Sequence, residues 1–273
     1  MMVIGSLWDF QISRAVYNPG SPFGLFFAAF GEYPAALGFA AGGTMLLLAR
    51  NREKRLLGVL QSIGGCWFVL SGAAMAAMLP KGYLDISTAL SGGIGIFCTG
   101  LTVWGVARLC RGADRRTVLR VAAVFLPVIF ADILVVNLIK IPWGRARMRL
   151  VAVDDRAYFM PWWMEGSELK DTLTAAGVAA EEFKSFPSGH TANASGLMLL
   201  CLLPRLSGKL AGKQTPLFFV GFVWTGLVAV SRVVMGAHYL TDTVVGFAVG
   251  LMLLAGLCRV MFPTHRKMPE AKA

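Results

Sequence analysis

The chain has 273 residues, of which 56% are hydrophobic and only 15% are charged, whereas soluble domains contain about 25% charged residues. This composition excludes a disordered chain and argues against an ordinary soluble protein. The formal net charge of +11 would permit nucleic-acid binding, but the basic residues form short clusters between long apolar runs, as in polytopic membrane proteins. We therefore predict one all-α membrane domain over residues 1–273, without a nucleic-acid partner.

Seven apolar runs approach the length of about 20 residues that a membrane-spanning helix needs, so we predict six to seven transmembrane helices. Gly31, Glu32 and Pro34 interrupt the first run, and the part before Pro34 is a candidate for a separate helix. The fifth run is short. We expect no cleavable signal peptide, because the N-terminus lacks a basic start followed by a compact apolar core. The runs cover residues 23–49, 56–79, 86–109, 118–139, 188–203, 216–235 and 241–262.

Basic clusters predict how these helices are oriented. The clusters follow the first, third, fifth and seventh runs, so one orientation in a plasma (inner) membrane places all four clusters and the C-terminus in the cytoplasm. The turn at 80–86, the segment 140–187 and the turn at 232–241 are then extracytoplasmic. With seven spans the N-terminus is also outside, and a further crossing within residues 6–30 would reverse that end alone. The clusters comprise Arg50, Arg52, Lys54 and Arg55; Arg108, Arg111, Arg115, Arg116 and Arg120; Arg205, Lys209 and Lys213; and Arg259, Arg266, Lys267 and Lys272.

The predicted extracytoplasmic loop 140–187 is unusual because basic residues normally avoid short external loops. Two interpretations stay open. The basic residues bind an anion, or a loop of this length escapes the rule and its acidic residues balance the charge. The basic residues are Lys140, Arg145, Arg147, Arg149, Arg156, Lys170 and Lys184, and the acidic ones are Asp154, Asp155, Glu165, Glu168, Asp171, Glu181 and Glu182.

Two of the three histidines fall at the predicted outer membrane boundary. His190 begins the fifth run, and His238 lies in the turn between the sixth and seventh runs. His265 lies in the basic C-terminal tail and has no expected role. Ionisable side chains that share a depth near the membrane boundary indicate a functional site.

Three cations, Lys140, Arg147 and Arg232, reach the same boundary and are placed to bind one anion. Arginine matches phosphate with a bidentate fork, and lysine adds a compact point charge. The run from Pro187 to His190 opens a helix, whose free N–H groups and dipole favour an anion. In that run Ser188 adds a hydroxyl donor and Gly189 permits close approach of the backbone. The pattern predicts a phosphate-binding site built from fixed donors, without a metal.

The histidines supply acid–base chemistry beside this predicted anion site. His238 and Asp242 are four residues apart and share a helix face. The carboxylate can accept the proton of one ring nitrogen and orient the other toward phosphorus, and histidine is a known covalent nucleophile. His190 is placed to protonate the leaving oxygen, because an imidazole with a pKa of about 6.5 suits that role near neutral pH.

In this order the motifs resemble the type 2 phosphatidic acid phosphatase superfamily, which comprises integral membrane phosphatases and related haloperoxidases. The family pattern is Lys, six residues, then Arg-Pro; next Pro-Ser-Gly-His; next Ser-Arg, five residues, His, three residues, Asp. The resemblance covers about residues 118–262, the predicted catalytic core, and departs from the pattern at Met148, where the family has proline. The matching residues are Lys140 and Arg147; Pro187, Ser188, Gly189 and His190; and Ser231, Arg232, His238 and Asp242.

The resemblance implies a hydrolase that acts on a lipid phosphate or diphosphate in the bilayer, with its active site at the outer membrane interface. His238 would form a phosphohistidine, Asp242 would orient His238, and His190 would be the general acid. No metal or other cofactor is implied, and the sequence leaves protein partners unknown. The residues implied to hold the phosphoryl oxygens are Lys140, Arg147, Ser188, Gly189 and Arg232.

Alternatives to a hydrolase stay open at this stage. A lipid phosphotransferase of the same family would use an acceptor alcohol in place of water. A transporter or channel would carry ionisable residues within the membrane, and Asp132 and Glu32 are the candidates. An inactive lipid-binding or scaffold member is disfavoured, because all the reactive positions are present.

Overall fold

The computed structural model describes residues 1–263, so His265 and the tail residues Arg266, Lys267 and Lys272 lie outside the described residues. Within residues 1–263 the chain is helical and forms no strand. Six helical segments are long and apolar enough to cross a membrane, which confirms the predicted all-α architecture. These segments are Pro22–Leu48, Arg55–Gly82, Thr88–Leu109, Arg115–Val151, Gln214–Val234 and Leu240–Met261.

Eleven α-helices and four short 3₁₀-helices make up the described part of the chain. The α-helices are α1 Met2–Val16, α2 Pro22–Phe30, α3 Tyr33–Leu48, α4 Arg55–Met78, α5 Thr88–Leu109, α6 Arg115–Trp143, α7 Met148–Val151, α8 Ser167–Ala175, α9 Gly189–Ser195, α10 Gln214–Val234 and α11 Leu240–Met261. The 3₁₀-helices are Pro80–Gly82, Ala180–Phe183, Gly196–Arg205 and Gly208–Leu210.

The first predicted run is divided into α2 and α3, as the interruption at residues 31–34 indicated. Gly31 ends α2 by donating its N–H to the Phe27 carbonyl oxygen, and Pro34 occupies the first turn of α3, where proline is tolerated. Glu32 lies at the break between the two helices. There its side chain turns inward and accepts a hydrogen bond from Asn193 of α9.

The fifth predicted run is not a regular transmembrane helix. The short α9 continues directly as the 3₁₀-helix Gly196–Arg205, which contains Pro204. Helix α10 packs closely against this segment, since a Cβ at Gly221 would lie 2.3 Å from the backbone nitrogen of Met198. The prediction of a transmembrane helix over residues 188–203 is thus wrong, since the structure forms α9 and a 3₁₀-helix there.

The basic clusters lie together at one end of the helical bundle. Nε of Arg115 donates to the Ala49 carbonyl oxygen over 2.9 Å. The Arg205 guanidinium lies 3.9 Å from the centre of the Phe262 ring. Residues 108–112 and 206–210 line a common cavity. The ends of α3, α5, α11 and the 3₁₀-helix Gly196–Arg205 are thus neighbours.

The predicted loop 140–187 forms a folded cap at the opposite end of the bundle, although its first residues, 140–143, belong to α6. Several of its basic residues pair with acids, including Arg147 with Glu181 and Arg149 with Glu182, both over 2.6 Å. Charge balance therefore explains part of the basic content of the cap. Its apolar core consists of Ala146, Leu150, Ala157, Met160, Leu169, Leu173 and Phe183.

Candidate active site

The three predicted motifs meet around one cavity of about 210 Å³ at the cap end of the bundle. Lys140 reaches the cavity from the end of α6, and Arg147 from the start of the cap. Gly189 and His190 contribute the start of α9, while His238 comes from the turn between α10 and α11. Residues separated by almost 100 positions in the sequence thus share one small polar space.

Two buried arginines carry donors that have no hydrogen-bond partner among the described residues. Arg232 is 1% exposed, and its Nε and Nη1 are unpaired. Arg147 is also buried and leaves its Nε unpaired, although its Nη2 donates to Glu181. Arg147 lines the cavity, whereas the Arg232 guanidinium lies behind its wall, 5.7 Å from the centre of the Tyr83 ring. Because buried polar groups are normally hydrogen-bonded, these unpaired donors fit an anion-binding site.

The start of α9 has the geometry expected of a helix that faces an anion. Ser188 is the N-cap, and its Oγ accepts hydrogen bonds from the backbone N–H and the hydroxyl of Thr191, over 3.4 and 3.0 Å. Its own hydroxyl proton therefore stays available to a ligand. A Cβ at Gly189 would lie 3.2 Å from Nζ of Lys140, so glycine lets the ammonium group approach the helix start.

His238 is held by a backbone carbonyl and not by the direct Asp242 hydrogen bond that the spacing predicted. Its Nδ1 lies 2.5 Å from the carbonyl oxygen of Ser185 but 3.9 Å from Oδ2 of Asp242. A carbonyl oxygen only accepts, so Nδ1 carries the proton and Nε2 keeps its lone pair. Asp242 acts on this arrangement through Ser185, whose hydroxyl donates to Oδ2 over 2.6 Å.

The electrostatic environment keeps the His238 ring neutral. Burial and the nearby cations Lys140, Arg147 and Arg232 lower the pKa of His238 well below its usual range. A neutral imidazole with a free Nε2 lone pair is the form that can attack phosphorus.

Arg145, to which the sequence assigned no role, joins Asp242 to the N-terminal helix. Its side chain is fully buried, Nη1 donates to Oδ1 of Asp242, and Nη2 donates to Oδ2 of Asp9 over 2.9 Å. Asp9 also accepts from the backbone N–H of Thr241 over 3.0 Å. In the sequence, the one feature that could have pointed to Asp9 is that it is a lone acidic residue in the otherwise uncharged first eleven residues.

His190 has two polar neighbours that the motifs did not predict. Its Nε2 lies 3.1 Å from the Tyr83 hydroxyl and 3.6 Å from Oε2 of Glu32. Nδ2 of Asn193 donates to Oε1 of Glu32 over 2.7 Å and fixes that carboxylate. Tyr83 and Glu32 line the same cavity as both histidines, so Glu32 belongs to the candidate active site.

The other intramembrane acid, Asp132, is 1% exposed and has the Ser195 hydroxyl 3.4 Å from its Oδ2.

Met148, at the proline position of the family pattern, begins the short helix α7 and is buried. It thus occupies a first helical position, which proline also favours. Within residues 1–263, no three His, Cys, Asp or Glu side chains are grouped closely enough to hold a metal ion.

The protein thus has long apolar helices, as in a helical membrane protein, and a cavity lined by two cations and two histidines. Such a cavity suits an enzyme that acts on an anion. Residues 121–266, more than half of the chain, match the PAP2 superfamily, and the chain belongs to this family. The resemblance predicted from the motifs is thereby confirmed.

Similarity to one curated protein is more local. Phosphatidylglycerophosphatase B of Bacillus subtilis (strain 168) is 34% identical over 80 residues, which are 29% of this chain and 39% of that protein. The chain thus matches less than half the length of that relative. No solved structure matches the chain.

Proposed function

We propose that this protein is a membrane-embedded lipid phosphatase that hydrolyses a lipid phosphate or diphosphate through a phosphohistidine, without a metal. The observation that carries the proposal is the cavity that Lys140, Arg147 and two histidines line, with an unpaired donor on Arg147. The buried guanidinium of Arg232, which also has unpaired donors, lies 5.7 Å from the centre of the Tyr83 ring at the cavity wall. Membership of the PAP2 superfamily and the similarity to phosphatidylglycerophosphatase B support a lipid phosphoester as the substrate.

The reaction proceeds in two steps. Nε2 of His238 attacks phosphorus, the P–O bond to the lipid breaks, and His190 gives its proton to the departing oxygen. Water then attacks the phosphohistidine, His190 accepts a proton from the water, and the P–N bond breaks to release phosphate. The fixed cations around the cavity stabilise the charge that develops on the phosphoryl oxygens in both steps.

We also propose that the cavity faces the extracytoplasmic side of the plasma (inner) membrane and that the C-terminus is cytoplasmic. The basic clusters that follow α3, α5 and the 3₁₀-helix Gly196–Arg205 support this orientation, because they lie at the bundle end away from the cavity. Basic residues in short loops favour the cytoplasmic side. A lipid in the outer leaflet would then present its phosphate at the depth of the histidines.

The test is phosphate release by the purified full chain in lipid vesicles, with phosphatidate, phosphatidylglycerol phosphate and polyprenyl diphosphate as substrates. We expect turnover of at least one of these lipids in the presence of EDTA. His238→Ala should abolish turnover, and His190→Ala should lower it by about 10²–10⁴-fold, as expected for a general acid. His265→Ala is the matched control, with turnover like that of the wild type.

Two further measurements bear on the mechanism. Acid-labile phosphate should be trapped on the wild-type protein and absent from His238→Ala, because the phosphohistidine forms at that ring. Turnover by His238→Ala, or a strict requirement for Mg²⁺, would contradict the proposal. Product analysis in the presence of an acceptor alcohol separates hydrolysis from phosphotransfer.

A further inference from the structure

Glu32 is a carboxylate at the wall of a cavity whose other charged groups are mostly cations. It lies outside residues 121–266, which match the family, and it reaches the cavity from the break between α2 and α3. Its two oxygens have different contacts. Oε1 accepts from Asn193 over 2.7 Å, and Oε2 lies 3.6 Å from Nε2 of His190.

The charges around His190 oppose the state that a general acid needs. Burial and, after it, the positive charges of Arg232, Lys140 and Arg147 lower the pKa of His190 well below its usual range, so they disfavour a proton on its ring. Glu32 is the acidic side chain that contacts His190 among the described residues, at a distance where an opposite charge stabilises an imidazolium.

Tyr83 completes the surroundings of Nε2 without fixing its protonation state. Its hydroxyl lies 3.1 Å from Nε2, and a hydroxyl can accept from a protonated ring or donate to a neutral one. The Tyr83 contact is therefore compatible with both halves of a proton-transfer cycle. The charge on Glu32, in contrast, favours the protonated ring alone.

We propose that Glu32 is a positioning residue that stabilises the protonated form of His190 against these effects and orients the ring toward the leaving oxygen, with Asn193 fixing the Glu32 carboxylate. The proposal rests on the lipid phosphatase function proposed above. When the P–O bond breaks, its electron pair goes to the lipid oxygen and the proton of His190 Nε2 moves to that oxygen. Glu32 stays a carboxylate throughout, and the proton taken from water in the second step restores the imidazolium.

This role predicts that Glu32 matters most when the leaving group needs a proton. Phosphatidate releases an alkoxide-like oxygen, which requires protonation. The terminal phosphate of diacylglycerol diphosphate is released from a phosphate oxygen, which departs readily without a proton. Glu32→Gln should lower kcat about 10–100-fold for phosphatidate, a fraction of the effect of a general acid, and no more than about threefold for the diphosphate.

The experiment compares Glu32→Gln with wild type on these two lipids, which carry the same acyl chains. Asn193→Ala is a second variant that leaves the carboxylate in place but removes its hydrogen bond, and we expect the same selectivity with a smaller loss. Glu53→Gln is the matched control, because Glu53 is exposed in a basic cluster at the other end of the bundle. It should retain wild-type kcat on both substrates.

A second measurement does not depend on turnover. In protein labelled with ¹³C in the histidine rings, the resonance of His190, assigned with His190→Ala, should titrate at a lower pH in Glu32→Gln than in wild type. An equal loss of kcat on both lipids, or an unchanged titration of His190, would overturn the role of Glu32. If the wild-type protein released no phosphate from any lipid, the proposed function would fail instead, and the titration would still decide whether Glu32 stabilises the imidazolium.

Discussion

Substituting Asp9 by alanine tests whether the N-terminal helix α1 is part of the active-site framework. Asp9 is 3% exposed and bonds to Arg145, which in turn holds Asp242. Asp242 accepts a hydrogen bond from the Ser185 hydroxyl, and the carbonyl oxygen of Ser185 accepts one from Nδ1 of His238. Loss of the Asp9 carboxylate should therefore weaken both the fold and the orientation of the His238 ring.

The expected loss of stability follows from the contacts of Asp9. The substitution removes an ion pair of 2.9 Å with Arg145 and two hydrogen bonds from Thr241, one from its backbone and one from its hydroxyl. Breaking a buried ion pair costs about 3–5 kcal/mol. Asp242 still pairs with Arg145, so we expect a loss of about 3 kcal/mol, at the lower end of that range. Asp9→Asn keeps an oxygen for the Thr241 N–H and should lose about half as much.

Thermal unfolding of the purified protein in detergent measures this loss, and a phosphate-release assay on the same samples measures turnover. A loss of about 3 kcal/mol corresponds to a decrease in Tm of about 6–12 °C for a chain of this size. Asp154→Ala is the matched control, since Asp154 also pairs with an arginine, Arg156, but does so at the exposed surface of the cap. If Asp9→Ala had the Tm and the turnover of wild type, α1 would be a dispensable attachment to the bundle.

Two further predictions concern the His238 ring and the packing of α11. Burial and nearby cations hold the pKa of His238 well below its usual range, so its neutral form persists as the pH falls and kcat/KM should stay high below about pH 6.5. Arg147→Gln removes one cation and should move the acid limb of the kcat/KM profile to higher pH; an unshifted limb would show that this cation does not act on His238. Gly246→Ala places a Cβ 2.3 Å from the carbonyl oxygen of Ser188, and overpacking against backbone should cost about 1–3 kcal/mol in thermal unfolding. Gly256→Ala has nothing within 4 Å of its Cβ and serves as the control, and equal Tm values for the two variants would contradict the close contact.

The apolar runs predicted most of the fold because a membrane restricts the chain to helices that satisfy their own backbone groups. Glycine and proline at residues 31–34 also predicted the break between α2 and α3. The segment 188–203 was predicted as a short transmembrane helix, but it forms the short α9 and a 3₁₀-helix, on which α10 packs closely at Gly221. This close contact depends on two segments together, so the spacing of apolar residues within either segment does not reveal it.

The motifs predicted which residues meet at the cavity, but not how they are held there. Asp9 lies 232 positions from Thr241, and Glu32 lies 161 positions from Asn193, so no local spacing links the members of each pair. The i,i+4 spacing of His238 and Asp242 correctly predicted that the two side chains are neighbours. It wrongly predicted a direct hydrogen bond between them, because Nδ1 of His238 donates to the Ser185 carbonyl oxygen of the cap instead. Their catalytic roles stay predictions until variants are assayed.

The buried guanidinium of Arg145 has a consequence for biogenesis. It is neutralised by one carboxylate near the start of the sequence and by another in the last described helix, 97 positions beyond Arg145. A nascent chain that has not yet inserted α11 therefore holds an arginine with half of its counter-charge, and the histidine of that final turn has not joined the pocket. The charge balance of Arg145 and the assembly of the cavity thus both depend on the insertion of α11.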